Sequence, residues 1–443
     1  MKTTHRFQTK LRVWYIFALA LIITTGSGLL VAPVSAQNVY LDENQTTSSP
    51  SSFLLPYVYS SDQTGLAFGL GGVRRGYLQP QGMTAGGVQA TANGSYGLFL
   101  TGMNYQMPFF DRLFLAPLLT VNRFTSLRSY QDISPQYGND RSGSNGSAEG
   151  DYIEHKGWDV YLEVRTKWLL PIGHGKDDVL HTYRLRNGLL PDDKDVTGGV
   201  AFNPFVSGRS YVSLTPFYRS QEFDKDFSDD LLSSSNGIQL GLLWNNKDFE
   251  ASPSKGEKIE FIVKRDFGWF DSDASWTTWE AEVSKFISLG ETSWARQQVL
   301  ALDFWTADTP SWDNNNGTIS NRAPDFYSPK LGGFNRMRAF PFERFNDRSS
   351  IYYAAEYRVI PNWNPLADVN WINNWLDIDW WQIVPFAELG RVAPSYDLGE
   401  LHKDMKWDAG IGIRFMAKKN VIRLDWAASA ESTGLWFMYG QTF

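Results

Sequence analysis

The chain has 443 residues, 41 Lys plus Arg against 48 Asp plus Glu, a formal net charge of −7 and no cysteine. This mildly acidic balance without a basic cluster excludes a nucleic-acid binder, and a mean hydropathy of −0.33 excludes a bundle of membrane helices. A membrane barrel is not excluded, because half of each of its strands faces water, and 18 Trp and 20 Tyr would furnish its interfacial girdles.

The first element is a leader. Lys2, Arg6, Lys10 and Arg12 precede the apolar run Val13 to Ile23, and a small-residue stretch ends at Val34-Ser35-Ala36. That is the layout of a secretory signal peptide cleaved before Gln37. No other run is long and apolar enough to span a bilayer as a helix, so an exported membrane protein with this sequence must be a closed barrel. The expected division is a signal peptide at 1–36, a linker or plug at 37–63 and a barrel at 64–443. The linker is too short for a periplasmic domain.

From Gly65 onward, strand-like segments alternate with turn-rich ones. Strands are expected near 65–75, 84–106, 113–125, 159–168, 207–220, 236–246, 259–264, 276–288, 294–305, 350–360, 380–391, 406–416, 422–428 and 434–443. The stretch 84–106 reads as one strand or as a hairpin around Asn93-Gly94. In 159–168, Val160, Leu162, Val164 and Trp168 share one face, and Tyr161, Glu163, Arg165 and Lys167 the other. Ile422, Leu424 and Trp426 likewise oppose Arg423 and Asp425. Each segment alone would suit a half-buried soluble sheet. Their repetition behind a signal peptide points to an all-β, transmembrane antiparallel β-barrel with an even number of strands, sixteen, with fourteen as the alternative.

Between the strands, Ser129 to Gly150 and Thr306 to Arg348 are the candidate extracellular loops, and Lys418-Lys419-Asn420 is a short periplasmic turn. In Pro365 to Asp379 the helical spacing of Val369, Ile372 and Leu376 fits either a short interfacial helix or a long aromatic turn. At the end, Leu435, Phe437 and Tyr439 alternate ahead of Phe443, as expected of a closing strand with one face in lipid.

One loop is not ordinary. Leu331-Gly332-Gly333-Phe334-Asn335-Arg336-Met337-Arg338-Ala339-Phe340 is aromatic, basic and glycine-turned where external loops are usually polar. It resembles the Val-Arg-Gly-Phe loop of the BamA/TamA outer-membrane assembly superfamily, the bacterial surface antigen barrels. Met337, Arg338, Ala339 and Phe340 align with that tetrad, Ala339 standing for its glycine. Further motifs follow in order: Glu356-Tyr357-Arg358, then Phe386-Ala387-Glu388-Leu389-Gly390 with Glu388 in place of the usual Asp, then Gly410-Ile411-Gly412-Ile413-Arg414 and Ile422-Arg423-Leu424-Asp425. The likeness is firm over 331–443 and looser before it.

The resemblance implies an extracellular loop folded back into the lumen, with Arg338 meeting the acidic partners Glu388, Glu356 or both. It also implies assisted insertion or translocation of proteins or lipids at a Gram-negative outer membrane, through a lateral seam between first and last strands. The glycine-rich segment near Gly69 would form one side of that seam, and Gly440 and Phe443 the other. Relatives carry periplasmic POTRA domains; here a separate periplasmic adaptor would replace them. Outer-membrane lipids and the barrel assembly machinery, reading the last strand, are the other expected partners, and no nucleic acid is. A passive or gated channel for ions or small solutes is the competing function. Enzymatic activity, cofactors and metals are not expected: the mature histidines His155, His174, His181 and His402 match no strong catalytic or zinc spacing.

Overall fold

The computed structural model describes residues 38–61, 65–131, 141–191, 196–225, 231–315, 318–365 and 376–443. The expected signal peptide lies outside these residues. The chain forms one antiparallel sheet closed into a barrel. Its strands, in chain order, are β1 Ser51–Ser61, β2 Gly65–Arg75, β3 Met83–Thr91, β4 Tyr96–Met103, β5 Phe110–Ser129, β6 Ile153–Leu169, β7 Arg209–Phe223 and β8 Ser234–Asn245. Then come β9 Gly256–Phe267, β10 Ser275–Ser288, β11 Ala295–Asp308, β12 Ser349–Pro361, β13 Ile378–Ala393, β14 Lys406–Ala417, β15 Asn420–Ala428 and β16 Thr433–Tyr439. Tyr105–Met107 continues β4 alongside β5 past a break at Asn104. Counted this way, the described residues make sixteen staves, each paired with its sequence neighbours.

Period-two patterning sets the faces. Leu66, Phe68 and Leu70 of β2, Leu240 and Leu242 of β8, and Ile411 and Ile413 of β14 are exposed on the outer wall, as a lipid-facing surface requires. Their alternates Ala67, Val73, Asp408 and Arg414 are buried in the lumen. Exposed apolar side chains gather at both rims: Phe109, Leu289, Trp294 and Trp363 at one, and Trp269, Phe270, Leu398 and Trp407 at the other. The hairpin expected around Asn93-Gly94 is present, with Gly94 at φ +90° and the Asn93 Oδ1 accepting from Ser95 N at 3.1 Å.

The ends of the barrel are occupied. Over one rim, residues 322–348 fold into the lumen and meet residues 129–131 and 141–151. The Asp325 carboxylate accepts from Ser129 Oγ (2.8 Å) and Tyr130 N (2.9 Å), and Arg344 donates to Ser147 O (2.7 Å). At the other rim Asn38–Asp42 pairs in parallel with His181–Leu185, a strand within the long connection between β6 and β7. Tyr40 stacks on Tyr183 with ring centroids 5.7 Å apart and meets Phe249 edge-on. Ile360, Trp380, Met416 and Val421 of the barrel wall complete that cluster. Lys419 fixes Asp42 at 2.6 Å, and the Arg75 guanidinium lies 4.9 Å from the Tyr40 ring.

Three expectations change. Residues 37–63 are not simply a linker: 38–42 is a plug strand and 51–61 is the first barrel stave, its sparse alternation broken by Pro56 and four serines. Gly69 therefore sits on the second stave, away from the seam, and its missing side chain makes room for the Tyr57 ring of β1, which a Cβ would meet at 2.0 Å. Strand β16 ends at Tyr439, and Phe443 does not face lipid but is buried in the lumen. The expected helix within 365–379 falls almost wholly outside the described residues, and β13 already begins at Ile378.

Replacing Tyr40 by Ala removes the ring on which the plug strand packs, a loss of about 3–5 kcal/mol for a well-buried aromatic. Limited proteolysis of the folded barrel should then cut within 38–50 faster, while the barrel keeps its heat-resistant compact form on gels. Unchanged cleavage would show that the strand is held by its backbone pairing alone.

Candidate functional site

The lumen face of β12 to β15 and the loop over it carry a dense group of fully buried charges. Arg338, Arg344, Arg358, Arg414 and Arg423 are among the largest fully buried side chains. A lone guanidinium in such a place would cost several kcal/mol in lost hydration, so each needs carboxylates at bonding distance. Alternation supplies them. Glu356 and Arg358 are two apart on β12, Asp408 and Arg414 share a face of β14, and Arg423 and Asp425 are two apart on β15. Glycines open the space: a Cβ on Gly410 would lie 2.4 Å from the Phe386 ring, and one on Gly412 would lie 2.4 Å from Asp425 Oδ1.

The loop delivers Arg338 into this wall. Met337, at φ +57° and fully buried, makes the turn. That conformation costs a branched-free side chain about 1–2 kcal/mol, and it persists because Leu331, Met337, Ala339, Phe340 and Phe345 belong to one core cluster. Arg338 Nε meets Glu388 Oε1 at 3.2 Å, while its Nη1 meets Asp425 Oδ2 at 2.8 Å and Glu356 Oε1 at 3.1 Å. Its backbone N donates to Glu388 Oε2 at 2.7 Å, and its guanidinium stands 3.4 Å from the Phe386 ring centroid. Burial works against its charge, but Glu388, Asp425 and Glu356 more than offset that and raise its pKa well above the ordinary value.

Next to it, Ala339 N donates to Asp408 Oδ2 at 2.9 Å. Phe340 packs edge-on against Phe345 with centroids 5.2 Å apart. Glu356 accepts from Arg414 (2.8 Å) and Arg358 (2.8 Å) besides Arg338, and Tyr352 OH bonds Glu388. Both acidic partners named from sequence are thus brought onto Arg338.

Four further members had not been named as partners: Asp408, Asp425, Arg414 and Arg423. The signal for the last three was present, since they lie on the polar faces of alternating segments; what sequence could not give was how deep the loop reaches.

The lattice extends to the last staves and to the final residues. Trp436 Nε1 donates to Arg338 O at 2.7 Å, and Ser432 Oγ to Ala339 O at 2.7 Å. A Cβ on Gly434 would lie 2.1 Å from Arg338 O, so β16 approaches the loop as only glycine allows. Gly440, at φ +84°, turns the chain inward after Tyr439. Thr442 Oγ1 then accepts from Arg423 (2.9 Å) and Arg338 (3.3 Å) and donates to Glu356 (3.0 Å). Phe443 lies against Phe286, its ring 5.0 Å from the Arg358 guanidinium.

The seam itself is thin. Among the described residues, β1 and β16 share a single backbone pair, Ser60 with Leu435. On either side, β1 and β2 share the full run from Ser51/Arg75 to Ser61/Gly65, and β15 and β16 the run from Ile422/Tyr439 to Ala428/Thr433. Side chains add a few ties: Arg75 donates to Asn420 Oδ1 at 2.8 Å, Tyr439 OH meets Met83 Sδ at 3.2 Å, and Tyr57 stacks on Phe437 at 6.3 Å. The histidines are engaged in local contacts: His181 with Asp178 at 2.6 Å, His402 with Tyr353 OH at 2.8 Å, and His174 Nδ1 accepting from Gly208 N at 3.0 Å.

Arg338→Ala leaves Glu388 with Tyr352 as its remaining strong partner, a loss of about 3–5 kcal/mol for a broken buried pair. Its folded band on cold, detergent-loaded gels should convert to the unfolded form at a lower temperature. Gly434→Ala, which pushes on Arg338 O without touching a charge, should shift that temperature in the same direction. No shift in either variant would show that the loop contact does not stabilise the barrel.

No protein-family model matches the chain, and no curated protein matches it. Solved structures do. CdiB from Escherichia coli is 10% identical with a TM-score of 0.52, covering 88% of this chain and 62% of that one. CdiB from Acinetobacter baumannii is 9% identical with a TM-score of 0.51, covering 89% and 60%. BamA from Haemophilus ducreyi lacking POTRA domains 1-3 is 12% identical with a TM-score of 0.46, covering 89% and 69%. The chain spans about three fifths of the length of the CdiB chains. At these identities the likeness concerns fold alone: the barrel of this chain is similar to the fold of the CdiB structures.

Proposed function

We propose that the protein resides in the outer membrane and assists the insertion or translocation of proteins or lipids there by parting its sheet between β1 and β16. The observation that carries this reading is the disproportion at the seam. One backbone pair joins β1 to β16, whereas the staves beside it are fixed either by long ladders or by the Arg338 lattice. An edge with unmet N–H and C=O groups is a template for an incoming strand. Parting this seam sacrifices one ladder pair and a handful of side-chain contacts, far less than parting any long ladder.

The last two staves are also short. β16 has 7 residues and β15 has 9, against 20 in β5 and 17 in β6. At ~3.3 Å per residue, seven residues reach roughly 23 Å before tilt, less than the ~25 Å apolar band of an ordinary barrel. Residues 38–42 on one side and 322–348 on the other occupy the lumen mouths, which supports a resting state that is closed. A separate periplasmic adaptor and recognition of the last strand by the barrel assembly machinery belong to the same proposal.

A passive channel has one observation in its favour, a cavity of about 260 Å³ lined by Arg165, Lys167, Lys258, Glu260, Lys264 and Glu282 among others. One experiment separates the readings. Directly paired residues have Cα atoms ~4.5–5.5 Å apart, within disulfide reach, so Ser60→Cys with Leu435→Cys should cross-link in this cysteine-free chain. In vesicles, the oxidised protein should lose its acceleration of client barrel folding, and reductant should restore it. A channel would conduct equally in both states, and folding assistance that survives oxidation would refute the seam.

A further inference from the structure

The connection between β6 and β7 contains a run, Val196 to Gly208, without a single charged residue. It lies at the rim opposite the Arg338 loop and, past Val196, turns its large apolar side chains outward. Val200, Phe202, Phe205 and Val206 are 66, 72, 73 and 59% exposed, so the run shows solvent four large hydrophobic side chains within seven residues.

That exposure is built, not slack. Asn246, itself 1% exposed, donates to Ala201 O (3.1 Å) and accepts from Gly199 N (3.1 Å) and Ser207 Oγ (2.6 Å). Trp244 Nε1 donates to Ser207 O at 2.9 Å, and Asn203 accepts from Phe205 N at 2.9 Å. The backbone polar groups point at the barrel and the apolar groups point away. Water gives no reason for that inversion, since an apolar patch of this kind marks a surface that something covers.

What covers it is indicated by where it sits. Phe202 packs edge-on against Trp244, with centroids 5.2 Å apart. Trp244 alternates with Leu240 and Leu242 on the lipid-facing wall of β8. The run therefore continues the barrel's own lipid-facing belt. It leads into the seventh of sixteen staves and packs on the end of the eighth, on the side of the barrel far from the β1–β16 seam.

We propose that residues 200–206 form a membrane foot, whose Phe202 and Phe205 rings are buried among the phospholipid chains of the leaflet at that rim, in the manner of an interfacial anchor. The foot holds the long-staved half of the barrel at a fixed depth. This inference stands whether or not the seam opens.

The test uses the absence of native cysteine. Phe202→Cys and, separately, Phe205→Cys carry an environment-sensitive fluorophore in the full chain, reconstituted in phosphatidylethanolamine–phosphatidylglycerol vesicles. Glu149→Cys, on an exposed loop at the other rim, is the reference. Both foot labels should be quenched by nitroxide lipids and protected from aqueous iodide, with blue-shifted emission, and the reference should behave oppositely. Labels as open to iodide as the reference would overturn the proposal. Where a variant does not fold, the unaltered protein in photoactivatable lipids decides: cross-linked lipid on the peptide spanning 200–206 supports the foot, and cross-links confined to the strands overturn it.

Discussion

An arginine side chain can be drawn into the interior of a barrel only if carboxylates are waiting for it, and everything on the seam side of this molecule follows from that requirement. Arg338 has three of them, on β12, β13 and β15, and each also serves another group: Glu356 holds Arg358 and Arg414, Asp425 holds Arg423, and Glu388 holds Tyr352. The result is a connected lattice, in which no ion could leave without stranding a neighbour. Because the loop's backbone is also bonded by Asp408, Ser432 and Trp436, five consecutive staves are fixed to one loop segment. The final residues, turned inward at Gly440, enter the same lattice through Thr442.

This arrangement places strength and weakness side by side. β12 to β16 are coupled as a unit by the loop, and β1 to β3 are joined by ladders of nine or more pairs. Between the two units the described residues make one backbone pair. A sheet built this way has its compliant line chosen in advance, and the loop decides how rigid the movable side is. The plug strand at 38–42 touches both units, since Tyr40 receives Arg75 of β2 and Asp42 receives Lys419 of the turn before β15. Occupancy of that mouth and closure of the seam are therefore mechanically connected.

Much of the fold was legible because period-two alternation is a local property. The segments from 65–75 to 422–428 fall on observed staves, and the turn at Asn93-Gly94 resolves the stretch that read two ways. The loop motif was legible too, and the residues it singled out, Arg338, Glu356 and Glu388, lie in contact. What remained hidden was non-local. The first stave, with Pro56 and its serines, has too little alternation to declare itself, and it is held by pairing with the clearer β2. Asp42 and Tyr40 looked like linker residues because their partners, Lys419 and Tyr183, lie more than a hundred residues away. Phe443 looked like a lipid-facing terminus because nothing local reveals that Gly440 would turn it inward onto Phe286 and Arg358.

The most direct measurement is the coupling between the loop arginine and β15, the stave that pairs with β16. Arg338→Ala, Asp425→Asn and the double variant would be compared with the parent protein by denaturant unfolding in lipid micelles. If the lattice acts as one unit, the effects of the two changes are strongly non-additive, with an interaction energy within the ~0.5–3 kcal/mol expected of residues sharing a network. Simple additivity would contradict it, leaving the loop and the seam-side staves as neighbours without mechanical connection.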